Sequence, residues 1–257
     1  MPVSKDSMFF STRVKIERAK QHVRELAEEL AEYFNTKPFR IVVEKDTESD
    51  NHLWTLRMKN EVPGHLSEII GEAANKLRTS LDLLASDMVS MAGGDAKNVC
   101  FPFGEDAGSL KKAIKQSNLD RAGDDIVDIV KSLKPYRGGN ELLRALHDLD
   151  LTGKRKPLVP SVHYAGIKDY RKTRTGDPIL KINNAHCGPI HDGMVIASLP
   201  PVSNARIGRT FQPSLRITFD EDPLLRNKDI VEALNGLIFL TEEIIRIFVA
   251  HFEPKGE

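Results

Sequence analysis

The sequence predicts an α+β fold, with long helices packed around one central helix and a β-hairpin plus a small antiparallel β part attached to them. Three observations lead there. Over 64–92, Leu66, Ile70, Ala73, Leu77, Leu81, Leu84 and Met88 recur at helical spacing; at about 100° per residue they fall on one side of a helix. Between 39 and 58 the apolar residues alternate with polar ones instead, which is the period of a strand. From 158 to 220 the texture changes to short strand-like pieces separated by Gly and Pro.

Taken in order, the first helix is expected over 13–34, capped by Ser11 or Thr12 and striped by Val23, Leu26, Ala27, Leu30 and Phe34. Asn35 and Pro38 end it. Phe39, Ile41 and Val43 then alternate with Arg40 and Glu44, a polar turn spans 46–51, and Trp54, Leu56 and Met58 return. That is a hairpin with one face buried. Pro63-Gly64 breaks it, and the central helix runs to Ala92, where Gly93-Gly94 stops it.

The apolar piece 99–103 contains Pro102, which excludes a long strand, so it is expected to tuck into the core as a loop. Three short helices follow at 107–117, 123–133 and 139–150, with Pro135-Tyr136 and Gly138-Gly139 as a joint. Strands are placed at 179–182, 194–197 and 215–219, and a last helix at 225–252 presents Ile230, Leu234, Leu237, Ile238, Ile245, Phe248 and Phe252 on one side. The β-rich stretch lies between helices. A single domain over 1–257 is therefore expected, its helical body at about 1–150 and 225–257 and a basic β-rich insertion at about 151–224.

At 257 residues, with 40% hydrophobic and 29% charged residues, the chain can bury a sizeable core. Lys+Arg and Asp+Glu balance at 37 each, yet residues 151–210 hold ten basic against three acidic side chains, leaving −7 elsewhere. Two cysteines, Cys100 and Cys187, exclude a disulfide framework and suit a reducing cytoplasm. The first residues lack the apolar core of a signal peptide, and no apolar run approaches the ~18 residues of a membrane helix. A cytoplasmic protein without a membrane partner is expected.

Chemistry is suggested first by Asn75, Arg78 and Asp82, neighbours on one flank of the central stripe. Arg78 is a fork-shaped donor suited to phosphate. Equally, Arg78 and Asp82 form an i, i+4 pair, or tie the helix to a neighbouring loop. The second candidate is an anion-binding set, Lys154, Arg155, Lys156, Arg171, Lys172 and Arg174, with Tyr164 and Tyr170 between them. Clustered cations gain affinity for nucleic acid by counterion release, and aromatics stack on bases. The bland counterpart is a solvated loop facing acidic helices. His186, Cys187, His191 and Asp192 are zinc-ligand types, but their spacing matches no zinc finger or ribbon. No phosphate loop or dinucleotide fingerprint occurs, so neither a metal nor a cofactor is expected.

The helix text Asn75-Lys-Leu-Arg78-Thr-Ser-Leu-Asp82-Leu-Leu resembles a bacterial family of uncharacterised proteins with the pattern N-H-L-R-S-A-L-D-H-L. In that family an F-P-I segment, a Q-P-Y turn and L-H-x-L-D…D-K-H-R follow. Here stand Phe101-Pro102-Phe103, Lys134-Pro135-Tyr136, then Leu146-His147-Asp148-Leu149-Asp150 and Gly153-Lys154-Arg155-Lys156. The helix is also faintly similar to the HEPN superfamily, whose active members pair Arg and His on a helix and cleave RNA without a metal, often as dimers. Arg78 would match the Arg. The histidine position holds Leu83, Lys76 replaces a second helix histidine, and Arg155 replaces the histidine of D-K-H-R. An acid/base mechanism near neutral pH is thus missing its usual group. The expected function is non-catalytic binding with RNA or DNA as the leading partner. The alternatives are a degenerate HEPN-type ribonuclease and an interaction module acting as a homodimer.

Overall fold

The computed structural model describes residues 8–155, 158, 160–168, 191–199, 212–219, 225 and 228–252. Among these residues the fold is α+β. Its helices are α1 (Phe10–Asn35), α2 (Leu66–Met91), α3 (Leu110–Gln116), α4 (Asp124–Ser132), α5 (Glu141–Gly153) and α6 (Ile230–Phe252). Its strands are β1 (Phe39–Lys45), β2 (His52–Met58), β3 (Pro160–Lys168), β4 (Met194–Leu199) and β5 (Gln212–Phe219).

The central helix is the axis of the core. All seven stripe residues of α2 are fully buried, and so are Ala74, Ala85 and Val89, which widen the stripe beyond its predicted arc. The wider face is needed because α1, α5 and α6 all pack on α2. From α1 come Ile16, Ala19, Val23, Leu26 and Leu30; from α6, Leu234, Leu237, Ile245 and Phe248.

The start of α1 differs from expectation. Phe9, at φ 57°, precedes the first helical turn, and no side chain caps it. Thr12 is instead fully buried inside the helix. Phe9 is itself a core residue, edge-on to Phe252 at 6.2 Å between ring centroids, so tertiary packing fixes where the chain turns. The last helix also starts later than 225. Asp229 sets its start by accepting from the Val231 and Glu232 N–H groups. At α5 the Asn140 side chain accepts from the Leu143 N–H in the same way.

Strands β1 and β2 pair antiparallel from Phe39↔Met58 to Lys45↔His52, and β4 adds antiparallel to the other edge of β2. Within the hairpin only Thr55 and Leu56 are buried, a smaller face than the alternation predicts. The β4 contact ties the later segment to the first hairpin. β3 and β5 make a separate antiparallel pair. β3 is not among the strands expected from the sequence; its Gly166 sits at a register shift and breaks the alternation. The strand expected at 179–182 lies outside the described residues.

Segment 99–104 is a loop tied by its backbone to Ser117 and Pro135. Phe101 is 1% exposed, the Cys100 N–H donates to the Ser117 carbonyl, and the Gly104 N–H donates to the Pro135 carbonyl at 2.9 Å. The joint before α5 requires glycine at 139, where a Cβ would lie 2.5 Å from the Lys134 carbonyl oxygen.

Candidate functional site

The polar trio of α2 is divided between two places. Arg78 and Asp82 hold the backbone of Phe101. The Arg78 Nη1 donates to Asp82 Oδ1 at 2.5 Å and its Nη2 to the Phe101 carbonyl at 3.2 Å. The Phe101 N–H donates to the same Asp82 oxygen at 2.9 Å. Both backbone groups of a buried loop residue are thereby satisfied by one side-chain pair, as a neighbouring strand would satisfy them. The two residues form the i, i+4 pair and also tie α2 to a loop, so both structural alternatives are met together.

Around this clamp the loop is braced by its rings. The Arg78 guanidinium lies over Phe103, 4.7 Å from the ring centroid, and His147 of α5 stacks on Phe103 at 4.3 Å with an interplanar angle of 12°. Arg144, one turn before His147, is also buried. It donates to the Gly104 carbonyl at 2.8 Å, to Glu105 at 3.0 Å and to Asp148 at 3.0 Å. Arg144 in turn holds the Glu105 carboxyl below the ordinary carboxylate range.

His147 is lowered to about 4, first by burial, then by the positive Arg78 and Arg144; Asp148 and Asp150 act in the opposite sense. Its Nδ1 is buried with no hydrogen-bond partner among the described residues. At neutral pH it is therefore an uncharged ring packed on Phe103. A histidine whose folded value lies below 6.5 contributes stability that is complete above 6.5 and is lost as pH falls toward about 4. Discounted for its partial exposure, the loss is about 2 kcal/mol. Urea titrations of wild type and His147→Phe between those pH values should diverge by that amount, the variant keeping more of its stability in acid.

Asn75 faces another way. Its Nδ2 donates to Asp150 Oδ1 at 2.9 Å, and Lys154 Nζ donates to Asp150 Oδ2 at 2.6 Å. The Asp150 side chain is 3% exposed and that of Lys154 58% exposed. These residues line an open groove of ≈ 630 Å³ between the start of α2 and the end of α5, with Ser67, Glu68, Gly71, Glu72, Gly153, Arg155 and Leu158 as its other walls. Its volume is that of a small-molecule site. At the groove a Cβ on Gly153 would make ordinary contacts, 3.5 Å from Leu158 and 3.8 Å from the Gly71 Cα, while a Cβ on Gly71 would meet nothing within 4 Å.

Two of the six predicted anion-binding residues, Lys154 and Arg155, thus join Asn75 at one groove. Lys156, Arg171, Lys172 and Arg174 lie outside the described residues, as do His186 and Cys187. Among the described residues no three His, Cys, Asp or Glu side chains are grouped to hold a metal ion, and no helix is long and apolar enough to cross a membrane. Arg144 is not among the residues singled out from the sequence, and Asp150 enters there only as the last residue of the L-H-x-L-D resemblance. A signal existed for each. Asp150 falls at i+4 from Leu146 and i+7 from Leu143, inside the apolar stripe of α5, and Arg144–Asp148 and Asp150–Lys154 are both i, i+4 pairs.

Comparison of the chain with protein-family models, with curated proteins and with solved structures returns no match.

Proposed function

We propose that this protein binds nucleic acid without cleaving it, through the α2–α5 groove and the basic run that begins at its rim. The observation that carries this is the meeting of Lys154 and Arg155 with Asn75 at one groove. Lys154 and Arg155 open the segment in which ten basic residues face three acidic ones. Exposed cations of this kind gain affinity by releasing counterions from phosphates. Non-cleavage is favoured by the state of Arg78, which matches the arginine of the ribonuclease motif, and of His147, the titratable ring in the same cluster. Arg78 is occupied by Asp82 and Phe101, and His147 is uncharged, stacked and lowered to about 4.

The test is filter binding with single-stranded RNA and DNA between ~50 and ~200 mM salt. Affinity should fall steeply with salt. In the Lys154→Ala/Arg155→Ala double variant the log–log slope on these single strands should flatten by about 1.4, roughly 0.7 for each phosphate contact removed. Absence of binding near ~50 mM salt, or binding indifferent to salt, would sink the proposal.

A further inference from the structure

We propose that the α2–α5 groove takes one unpaired guanine base, whose N1–H and N2–H groups donate to the Asp150 carboxylate while its phosphate rests on Lys154 and Arg155. This deepens, and rests on, the nucleic-acid function proposed above.

The groove carries both signs of charge, joined where Lys154 pairs with Asp150 at 2.6 Å. Glu68, Glu72 and Asp150 are acidic, and Glu72 is paired with Lys76 at 2.6 Å; Lys154 and Arg155 are basic. A phosphate is repelled by the carboxylates and held by the exposed Lys154 and Arg155, so the part of a ligand that meets Asp150 must be a hydrogen-bond donor. Asp150 is the buried acceptor there, with Asn75 donating to Oδ1 and Lys154 to Oδ2. Its side chain is 3% exposed, and one of its two partners is the Nζ of Lys154, itself 58% exposed. When a phosphate draws Lys154 away, Asp150 Oδ2 is left buried without a donor, an unfavourable state that the incoming ligand must relieve. Asn75 stays on Oδ1, and each carboxylate oxygen can still accept a further hydrogen bond.

Among the bases only guanine offers two adjacent donors on its Watson–Crick edge, matching the two oxygens of a carboxylate. Adenine and cytosine present one amino group beside an acceptor, and uracil a single N–H between two carbonyls. Unpaired bases are read on this edge in single strands. Room for the ring is provided at Gly71, where no atom lies within 4 Å of an added Cβ, and Leu158 supplies an apolar wall.

The experiment is calorimetric titration of the wild-type protein with GMP, AMP, CMP and UMP at low salt, alongside filter binding of single-stranded oligonucleotides with and without guanine. GMP should bind more tightly than the other three by on the order of tenfold. Asp150→Asn should abolish that preference, because an amide offers one acceptor where the carboxylate offers two. Gly71→Leu, which leaves every charge in place and fills the open space, should abolish mononucleotide binding while circular dichroism shows an intact helical fold. Equal affinity for the four nucleotides, or a GMP preference unchanged in Gly71→Leu, overturns the base pocket. Oligonucleotides that bind without regard to guanine overturn it while leaving the proposed function standing. GMP binding without any oligonucleotide binding does the reverse.

Discussion

Phe101→Ala is expected to lower the stability of the fold by about 4 kcal/mol, the largest effect of any single change proposed for this chain. The side chain is 1% exposed and sits in the main core cluster, packed beside Phe103 at 5.4 Å between ring centroids. Removing the ring forfeits its transfer free energy and leaves a cavity. Backbone collapse cannot fill that space, because both backbone groups of Phe101 are pinned by Arg78 and Asp82. Equilibrium urea unfolding gives the number directly, as a lower midpoint at unchanged slope. Phe101→Leu, which restores most of the volume, should recover more than half of the loss. A Phe101→Ala midpoint within about 1 kcal/mol of wild type would mean that segment 99–104 is not part of the core.

The second large effect is expected from the clamp itself. Arg78→Ala should cost about 3 kcal/mol, the lower end of the range for breaking a buried ion pair, since the Asp82 side chain is 35% exposed and partly solvated. Alanine leaves the Phe101 carbonyl without its donor and Asp82 without its cation, and it removes the guanidinium from the Phe103 ring. Arg78→Lys retains the charge but not the two-pronged donor geometry that reaches Asp82 and Phe101 together, so it should recover only part of the stability. The same pair of variants separates the ribonuclease alternative from a structural role for Arg78. A ribonuclease of HEPN type would cleave RNA in EDTA as wild type and lose that activity in Arg78→Lys even under conditions where the variant is folded. Intact RNA after long incubation with wild type, together with the stability losses above, is the expected outcome.

What could be known from the sequence was local. Apolar spacing identified α2 and its seven buried residues, because a stripe at 3.6-residue period has one stable solution, a helix with that side inward. Pro102 was enough to make segment 99–103 a loop that buries Phe101 rather than a strand. Neighbouring charges on one helix, such as Arg78 and Asp82, could be paired by counting four residues. The limit came wherever a polar group is satisfied by something distant in the chain. Asn75 meets Asp150 across 75 residues and Arg144 meets the Gly104 carbonyl across 40. No periodicity encodes such contacts. They exist because a buried donor or acceptor must find a partner, and which partner is nearest depends on how the helices cross.

The same reason separates Asn75 from Arg78, which sequence spacing places side by side. α2 is approached on one side by loop 99–104 and on another by the end of α5, so adjacent positions on one helix serve different neighbours. The sequence by itself determined that an α+β protein would form around one long amphipathic helix. Only the tertiary structure decided that Arg78 and Asp82 would hold a loop while Asn75, Asp150, Lys154 and Arg155 would share a groove. Burial of polar groups is a property of packed elements, not of one element's pattern.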